Sequence, residues 1–463
     1  MKEINHTPES WARCSLVDVV VLNPKNDASA DQVAGFVPMA LAPTDYHGIL
    51  QHEEKLWGKI KKSYTNFADG DIIFAKVTPC FENGKAAIVR DMPGGIGAGS
   101  SEFYVLRPTS KEISPTLIFA TIKSQSFMQQ GAESMTGAVG LRRVPRAFVE
   151  AFPVALPPAA EQKAIADKLD TLLAQVENTK ARLERIPQIL KRFRQSVLAA
   201  AMSGRLTEEW RSMSELTGWA NISLRNLVQN IEAGKNLKCI ETPPGENEFG
   251  IIKISAVTWG TYDEEQSKTL PEKNLFLESR RIKVGDFLIS RANTIDLLGN
   301  PVIVQKVTKN LMLSDKVLRL NMDDEDKAWV NIFLRSMTGR KEIQDRSTGN
   351  QMSMRNIGQK ALLEIPIPKP LYEEQTEIVR RVDQLFAHAD RIEQQVNNAL
   401  GRVNNLTQSI LAKAFRGELT EQWRKDNPEL ISGDNSAEAL LERIKAEKAA
   451  SKPAKKTRKQ TTA

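Results

Sequence analysis

Apolar residues recur at alternating steps of three and four along two long segments of the chain. Residues 161–211 align with residues 374–424 without a gap, and both segments keep the same apolar register. Sustained heptad spacing predicts a long helix with a coiled-coil seam. The alternative is a pair of core helices in a large domain, but the long polar stretches between seam positions favour an exposed coiled coil. The seam residues selected from this pattern are Leu169, Leu172, Val176, Leu190, Phe193, Val382, Leu385, Val396, Val403 and Leu406.

The ends of the two segments carry helix-boundary signals. Gly204–Arg211 and Gly417–Arg424 share the pattern Gly-x-Leu-Thr-Glu-x-Trp-Arg, and the glycines suit C-terminal caps. Proline-rich stretches at 153–158 and 365–370 suit the first turns. Each helix should hold about 38 residues and be roughly 55 Å long, a rigid spacer. Pro187 is expected to kink the first helix.

The segments that precede the helices are also related, though more loosely. Trp11 and Trp219 begin similar stretches, Gly70–Lys76 resembles Gly285–Arg291, and Thr136-Gly137 resembles Thr348-Gly349. Short apolar, β-prone runs predict strands at residues 71–75, 103–106, 287–290 and 301–304, and longer runs predict helices at residues 114–130 and 327–345. The chain therefore alternates between a mixed α/β domain and a helical repeat, which implies a pseudo-two-fold protein.

These boundaries divide the chain into five segments. They are a globular domain at residues 1–157, a central helical repeat at 158–212, a second globular domain at 213–370, a C-terminal helical repeat at 371–427 and a basic tail at 428–463. A short helix is predicted at Ala437–Ala450, and the tail as a whole is expected to be disordered because it is polar and charged.

Charge does not locate a nucleic-acid surface in this chain. Its 64 Lys and Arg against 57 Asp and Glu give a net charge of +7, but the segment from Glu442 onwards holds eight basic and two acidic residues. That segment alone therefore carries +6. Its removal before Glu442 is expected to lower the net charge sharply and to leave the function of the protein unchanged.

The remaining composition fits a globular protein of the cytoplasm. Apolar residues make up 41% of the chain, no apolar run reaches about 18 residues, and the first ten residues lack the features of a secretory signal. Cys14, Cys80 and Cys239 are odd in number and far apart, which fits a reducing compartment.

Catalytic motifs are missing from the sequence. It contains no Gly-x-x-x-x-Gly-Lys-Ser/Thr phosphate loop and no Asn/Asp-Pro-Pro-Tyr/Phe methyltransferase motif, and its four histidines offer little for a metal cluster. We therefore nominate no catalytic residue, no metal ligand and no cofactor site.

The duplicated helices, each starting with Pro-x-x-x-Glu-Gln at Pro157 and Pro370, resemble those of the specificity subunit (HsdS) of type I restriction–modification systems. The resemblance covers essentially the whole chain, and the pattern is similar to the K-type (type IA) branch. It implies two target recognition domains, each reading one half of a bipartite DNA target. It also implies an antiparallel coiled coil that sets the half-site spacing and docks two methyltransferase subunits.

The same resemblance implies a subunit that is not itself a catalyst. Restriction and translocase subunits join the core, and S-adenosylmethionine, ATP and Mg²⁺ are expected in the partner subunits. Divergence of the two globular domains predicts an asymmetric rather than palindromic target.

Glycine-flanked arginines are the best local candidates for contact with double-stranded DNA. Flexible backbone lets a loop approach phosphates, while arginine forks read guanine edges and Asn or Gln pair with adenine. The alternative for each is a solvated loop or a rim ion pair. In the first domain the candidates are Lys76, Thr136, Gly137, Arg142, Arg143 and Arg146, and in the second they are Arg291, Asn293, Thr348, Gly349, Asn350, Gln351 and Arg355.

Other functions remain open from sequence alone. The leading alternative is a coiled-coil assembly scaffold whose variable domains bind protein rather than DNA. A stand-alone transcription factor is disfavoured because no helix-turn-helix is evident, and an enzyme is disfavoured by the missing motifs.

Overall fold

The computed structural model describes residues 7–138, 140–212, 218–351 and 354–450. Their contacts divide the chain into two compact units, one of residues 1–184 with 398–463 and the other of residues 185–397. Each unit therefore combines one globular domain with part of each helical repeat.

The globular domain of the first unit is built from short strands and short helices. Its strands are β1 (Ala12–Ser15), β2 (Val20–Leu22), β3 (Val33–Val37), β4 (Glu53–Leu56), β5 (Thr65–Ala68), β6 (Ile72–Ala75), β7 (Ala86–Ile88), β8 (Ile96–Gly99), β9 (Phe103–Pro108), β10 (Thr136–Ala138), β11 (Leu141–Arg143) and β12 (Pro153–Leu156). Its helices are α1 (Leu16–Val19), α2 (Trp57–Ile60), α3 (Pro115–Lys123), α4 (Gln125–Ser134) and α5 (Arg146–Ala151). Two four-stranded sheets have the orders β2-β9-β6-β7 and β4-β3-β8-β5, while β1 pairs with β12 and β10 with β11.

Two long helices with short companions follow the globular domains. They are α6 (Ala159–Met202), with α7 (Glu208–Ser212) after it, and, beyond the second domain, α11 (Tyr372–Phe415), with α12 (Glu421–Asp426) and α13 (Ala437–Ala450) after it. The long helices have 44 residues each and end before Gly204 and Gly417, both of which adopt a left-handed φ of 70°. They are longer than predicted, and α6 continues through Pro187. No helix in the described ranges is long and apolar enough to cross a membrane.

The globular domain of the second unit repeats the construction of the first. Its strands are β13 (Ala220–Ser223), β14 (Val228–Ala233), β15 (Phe249–Ile252), β16 (Ser267–Thr269), β17 (Phe287–Ser290), β18 (Ala292–Asn293), β19 (Pro301–Ile303), β20 (Asn310–Met312), β21 (Val317–Met322), β22 (Thr348–Gln351), β23 (Met354–Asn356) and β24 (Pro366–Lys369). Its helices are α8 (Asp324–Arg335), α9 (Met337–Asp345) and α10 (Gln359–Leu363). The sheet β14-β21-β17-β19 corresponds to β2-β9-β6-β7, the sheet β16-β15-β20 to β4-β3-β8, and the pair β13–β24 to β1–β12.

Both globular domains are thus mixed α/β, as predicted. The four strands predicted from apolar runs are present as β6, β9, β17 and β19. The sheets β4-β3-β8-β5 and β16-β15-β20 each contain one parallel pair, β3 with β8 in the first domain and β15 with β20 in the second. The duplication therefore extends from the helices, where the sequence shows it clearly, to the sheets, where the sequence match is weak.

The prediction of one continuous helix before each hairpin was wrong. Ser124 separates α3 from α4, and Ser336 separates α8 from α9. Both serines have extended backbone, and their hydroxyls accept from the N–H groups of Phe127 and Gly339 at 3.3 and 3.1 Å. A side chain that caps the next helix competes with continuation of the first, so each run folds as two helices.

A buried carboxylate joins three parts of the chain in the first unit. Glu161, at the start of α6, is fully buried and accepts from Trp11 Nε1 at 2.9 Å. It also accepts from Thr420 Oγ1 and Arg424 Nη1, both at 2.6 Å. The start of α6 therefore lies against the chain that follows α11.

Glu374 has the corresponding set of partners in the second unit. It is buried at the start of α11 and accepts from Trp219 Nε1 at 3.0 Å, Thr207 Oγ1 at 2.8 Å and Arg211 Nε at 2.9 Å. Since each long helix starts beside the end of the other, the pair is antiparallel, and this prediction is confirmed.

Each unit has a core shared between its globular domain and the helix pair. In the first, Ile165 and Leu169 of α6 pack with Leu411 of α11 and with residues of α3 and β9. In the second, Val197 and Leu198 of α6 pack with Ile378 and Val382 of α11 and with α8. The apolar edge of each long helix therefore packs against a globular domain as well as against its partner helix.

The expectation of a disordered tail at 428–463 is corrected for residues 428–450. The predicted helix at 437–450 is present as α13, and its Leu440, Leu441 and Ile444 are buried in the core of the first domain. Arg443 pairs with Glu112 at 3.0 Å. The apolar side chains of α13 pack into the core of the first domain, and a prediction from local composition does not take such distant packing into account. The basic residues from Lys452 onwards lie outside the described residues.

Candidate functional site

The strongest sequence candidates lie on an exposed two-stranded hairpin in each unit. In the first unit β10 pairs with β11 so that Thr136 lies opposite Arg143 and Gly137 opposite Arg142. In the second, β22 pairs with β23 and Thr348 lies opposite Asn356. Gly137 and Gly349 both have a φ of 126°, a conformation that favours glycine. A Cβ would lie 2.7 Å from Leu141 O in the first hairpin and 2.6 Å from Met354 O in the second.

Each hairpin is attached to the residue that follows an inner strand of a four-stranded sheet, β6 in the first domain and β17 in the second. Val144 N donates to Lys76 O at 2.8 Å after β6, and Ile357 N donates to Arg291 O at 3.0 Å after β17. The sequence matched Lys76 with Arg291 only by their distance from Gly-Asp. In the structure the two residues lie at equivalent positions beside the hairpins. The structure brings these candidates together in both units.

The arginines of the first hairpin are held by carboxylates. Arg143 makes a bidentate contact with Glu102, with Nε to Oε2 at 2.9 Å and Nη2 to Oε1 at 2.8 Å. This contact holds the pKa of Glu102 below its usual range. Arg142 Nη2 lies 3.3 Å from Glu82 Oε1. These glutamates orient the guanidinium groups, and both pairs are exposed enough for an arginine to exchange its carboxylate for another anion.

Lys76 and Arg146 lie near the first hairpin but outside its strands. Lys76 Nζ donates to Ser101 O at 2.8 Å, and the ammonium lies 5.2 Å from the centre of the Tyr104 ring. Arg146 lies on α5, after the hairpin, and pairs with Glu150 at 2.8 Å. Both are in the same part of the domain as the hairpin, but neither lies on its strands.

The second hairpin is organised by neutral contacts instead of carboxylates. Arg355 donates through Nη1 to Gly349 O at 2.5 Å and through Nη2 to Ser347 O at 2.8 Å. Its charge is therefore not neutralised by an acid in these contacts. Asn350 and Gln351 lie on β22 by their backbone, but their side chains are outside the described residues.

Asn293 lies on β18, which extends the second hairpin into a three-stranded sheet. It faces Arg355 in the pairing of β18 with β23, and its Nδ2 donates to Thr258 Oγ1 at 3.2 Å. This contact fixes the Asn293 amide within the domain. It also connects the hairpin to the loop at Thr258, which the sequence did not single out.

The seam candidates occupy several environments. Leu169, Val176, Leu190, Val382 and Val396 are buried, and Leu172, Phe193, Leu385 and Val403 are half-buried. Leu406 is 47% exposed and lies outside the buried edge, whereas Leu173, which the heptad assignment passed over, is 1% exposed. The apolar edge shifts here because α6 and α11 also pack on the globular domains.

Two sets of residues were not assigned a role from sequence. One set is Glu161 and Glu374 with the residues that contact them. These residues could have been found from the sequence because they recur at matching positions in both copies of the repeat. The other is Trp259, which is 72% exposed and has no counterpart in the repeat pattern. Within the described residues, no group of His, Cys, Asp and Glu is arranged to hold a metal ion.

Comparison with known proteins bears on the meaning of these hairpins. The sequence profile of type I restriction modification DNA specificity domains matches residues 8–188 and 246–402. The chain is 42% identical over 365 residues to the specificity subunit of the type I restriction enzyme EcoKI of Escherichia coli strain K12, covering 77% of this chain and 76% of that protein. It is also 42% identical over 362 residues to the StySPI specificity subunit of Salmonella potsdam, covering 76% of each.

Solved structures show the same fold at lower sequence identity. A chain from a structural study of complex assembly and conformational transition in the type I R-M system matches with a TM-score of 0.69 at 20% identity, covering 89% of this chain and 99% of that one. The HsdS subunit of Thermoanaerobacter tengcongensis matches with a TM-score of 0.56 at 19% identity, covering 89% of this chain and 98% of that one.

Proposed function

Since this chain belongs to the family of type I restriction–modification specificity subunits, we propose that it selects the DNA sequence on which its enzyme complex acts. Its similarity to the EcoKI and StySPI subunits confirms the K-type branch. The same comparisons favour DNA targeting over the alternative of a scaffold whose variable domains bind protein.

The observation that carries the proposal is the repetition of one exposed hairpin with different side chains. Both hairpins contain a glycine at a φ of 126°, and both are attached beside an inner strand of a four-stranded sheet. The residue opposite the shared threonine is Arg143 in the first hairpin and Asn356 in the second, and β22 also contains Asn350 and Gln351. Repeated backbone with divergent side chains suits two readers of different half-sites, so the target is split and asymmetric.

The candidate residues take distinct roles in this proposal. Arg142 and Arg143 exchange Glu82 and Glu102 for guanine edges or phosphates. Arg355, which has no acid among its hydrogen-bond partners, contacts phosphate and leaves the base edges to the polar side chains of β22. Lys76 and Arg291 contact the sugar-phosphate backbone of the DNA beside the hairpins.

We infer the partners from the family to which the chain belongs, and the antiparallel helices suit them as a scaffold. Two methyltransferase subunits dock on the scaffold formed by α6 and α11, one for each half of the duplicated structure, and restriction and translocase subunits join them. Methyl transfer and DNA cleavage then take place in those subunits, which bind S-adenosylmethionine, ATP and Mg²⁺. This chain contributes recognition and half-site spacing.

The test is to map N6-methyladenine across a genome in cells that express the methyltransferase subunits with and without this chain. We expect a split, non-palindromic motif that is methylated only when the chain is present. Identical methylation in both strains would contradict the proposal. A palindromic motif would contradict the assignment of different half-sites to the two domains.

A further inference from the structure

A large groove in the second unit lies between the α8–α9 pair, the loop at Thr258 and the long helices. Its volume is about 1540 Å³, and its lining includes Lys191, Trp259, Arg335, Met337, Arg340 and Lys341. Trp259 is 72% exposed and Met337 70% exposed. Two large apolar side chains exposed in one groove, beside cations, suit contact with another molecule.

The exposed indole is carried by a loop that is firmly held. Thr258, the preceding residue, is buried, donates through Oγ1 to Ile254 O at 2.8 Å and accepts at its carbonyl from Asn300 Nδ2 at 2.7 Å. Its hydroxyl also accepts from Asn293, which lies on β18 beside the second hairpin. The backbone that carries Trp259 is therefore held in position relative to the second hairpin.

Arg335, at the end of α8, lies beside this loop and has no ion-pair partner among the described residues. A Cβ on Gly260 would be 3.3 Å from its Nη2, and its Cζ lies 5.9 Å from the centre of the Phe386 ring. Among the described residues its guanidinium has no hydrogen-bond acceptor. Burial and the nearby charge of Arg194 lower the pKa of Arg335 from its ordinary value, and the charge of Asp390 acts in the opposite direction. A bound anion would relieve both effects.

The acids of the groove leave this cation available. Asp390 and Glu393 pair with Arg194, each at 2.7 Å, and Glu342 pairs with Arg346. Asp296 and Asp345 are exposed to solvent. Arg340 is bound by neutral oxygens, with Nη1 3.2 Å from Asn300 Oδ1 and Nη2 3.1 Å from Asp296 O. Neither Arg335 nor Arg340 is held in an ion pair with a described carboxylate.

In the first unit, the cation at the corresponding position is bound by carbonyl groups of its own domain. Lys123 ends α3 just before Ser124, as Arg335 ends α8 just before Ser336. Its Nζ donates to Thr44 O at 2.6 Å and to Gly84 O at 2.8 Å, so this cation serves the domain itself. The open arginine and exposed tryptophan are therefore specific to the second domain.

We propose that Trp259 and Arg335 form a second DNA-contact site of the second domain, separate from its hairpin. This proposal rests on the proposed function. It assigns Arg335 to a phosphate and Trp259 to the adjacent sugar or an exposed base. The bond from Asn293 to Thr258 holds this site and the hairpin in register on one DNA segment. The second half-site is thus read with a contact that the first lacks.

The test uses the complex of the full chain with its methyltransferase subunits, and a duplex carrying the motif mapped from the genome. Trp259→Ala should weaken binding about tenfold, while Trp259→Phe keeps most of the affinity. Arg335→Gln should reduce the slope of log affinity against log salt by about one, and Arg335→Lys should restore it. Val284→Ala, at a 65% exposed apolar residue of the same domain, and Arg225→Gln, at an exposed arginine outside the groove lining, are controls that should change neither quantity.

The outcomes separate this inference from the function on which it rests. Wild-type affinity and salt slope in Trp259→Ala and Arg335→Gln, with specific methylation intact, would overturn the inference alone. Loss of methyltransferase subunits from these variants in gel filtration, at unchanged DNA affinity, would also overturn it by identifying the groove as a protein-docking site. Failure of the wild-type complex to methylate any motif would remove the proposed function, and the inference with it.

Discussion

One carboxylate in each unit joins a globular domain to the start of one long helix and the end of the other. Glu161→Gln keeps the side-chain volume but removes the charge that faces Arg424, whose side chain is 15% exposed. Because a buried cation then loses its counter-ion, we expect a loss of about 2 to 3 kcal/mol in the free energy of unfolding. Glu374→Gln should have a smaller effect in the second unit, because the Arg211 side chain that faces it is 30% exposed. Denaturant midpoints at constant slope measure both losses.

Glu184→Gln is the matched control on the same helix. Glu184 is exposed and lies 3.9 Å from Lys180, so its replacement should change stability by less than about 0.5 kcal/mol. Equal stability losses in Glu161→Gln and Glu184→Gln would show that the buried contacts do not hold the helix ends.

For these buried residues, the sequence showed which positions recur in both copies but not which residues contact one another. Glu161-Gln162, Thr420 and Arg424 all belong to patterns that appear twice in the sequence. The contacts of Glu161 with Trp11, Thr420 and Arg424 join residues 150 to 263 positions apart, a distance over which no local pattern acts. The exposed Trp259 shows the converse limit, because a residue without a repeat partner gives no signal in a search for duplication.

The hairpin is the element that we propose for DNA contact, and its glycine is the position at which to alter it. Gly137→Ala would place a Cβ 2.7 Å from Leu141 O at a φ of 126°, so the strands must separate or shift. Since the hairpin is exposed, we expect about a tenfold loss in DNA affinity with the rest of the domain intact. Gly349→Ala should act in the same way on the second domain. Methylation of substituted target sites should show relaxed recognition of opposite half-sites in the two variants.

Gly401→Ala controls for the loss of a glycine as such. Gly401 lies within α11 and has open space where the alanine methyl group would lie, so alanine should stabilise the protein by up to about 1 kcal/mol. Its methylation pattern should match the wild type. Relaxed recognition of the same half-site by Gly137→Ala and Gly349→Ala would contradict the assignment of one hairpin to each half.

The elements with strong local signals were the predictable ones. The heptads gave both long helices, and the apolar run at 287–290 coincides with β17. The breaks at Ser124 and Ser336 were missed because an apolar pattern continues through a capping serine. The hairpins were missed as strands because they are short and exposed, so no alternation of buried and exposed residues marks them.

The fold of α13 changes the expected effect of removing the C-terminal segment. A chain ending at Ala450 loses Lys452, Lys455, Lys456, Arg458 and Lys459, so its net charge falls from +7 to +2. We expect its stability and methylated sequence to be unchanged. A chain ending before Glu442 also loses Ile444, which is 1% exposed, and should be less stable by about 3 kcal/mol. Thermal unfolding of the two truncated chains distinguishes a structural helix from a dispensable one.

The whole molecule combines modular recognition with cores that are assembled from distant segments. Residues 1–153 contain the first hairpin, so their exchange for those of a relative with another target should change one half of the methylated motif. The core of the first domain, however, also contains Leu440, Leu441 and Ile444 of α13. A foreign domain would therefore meet a helix whose apolar side chains are matched to Leu16 and Val19 of the original.

We expect the exchange of residues 1–153 alone to cost about 1 to 3 kcal/mol in stability, because side chains shaped for another core pack poorly. Exchanging 437–450 from the same relative as well should recover most of that loss and leave the new motif unchanged. Genome-wide methylation measures the motif, and denaturant unfolding measures the recovery. A motif changed in both halves would contradict modular recognition, whereas equal stability of the two hybrids would show that α13 is not matched to the domain it covers.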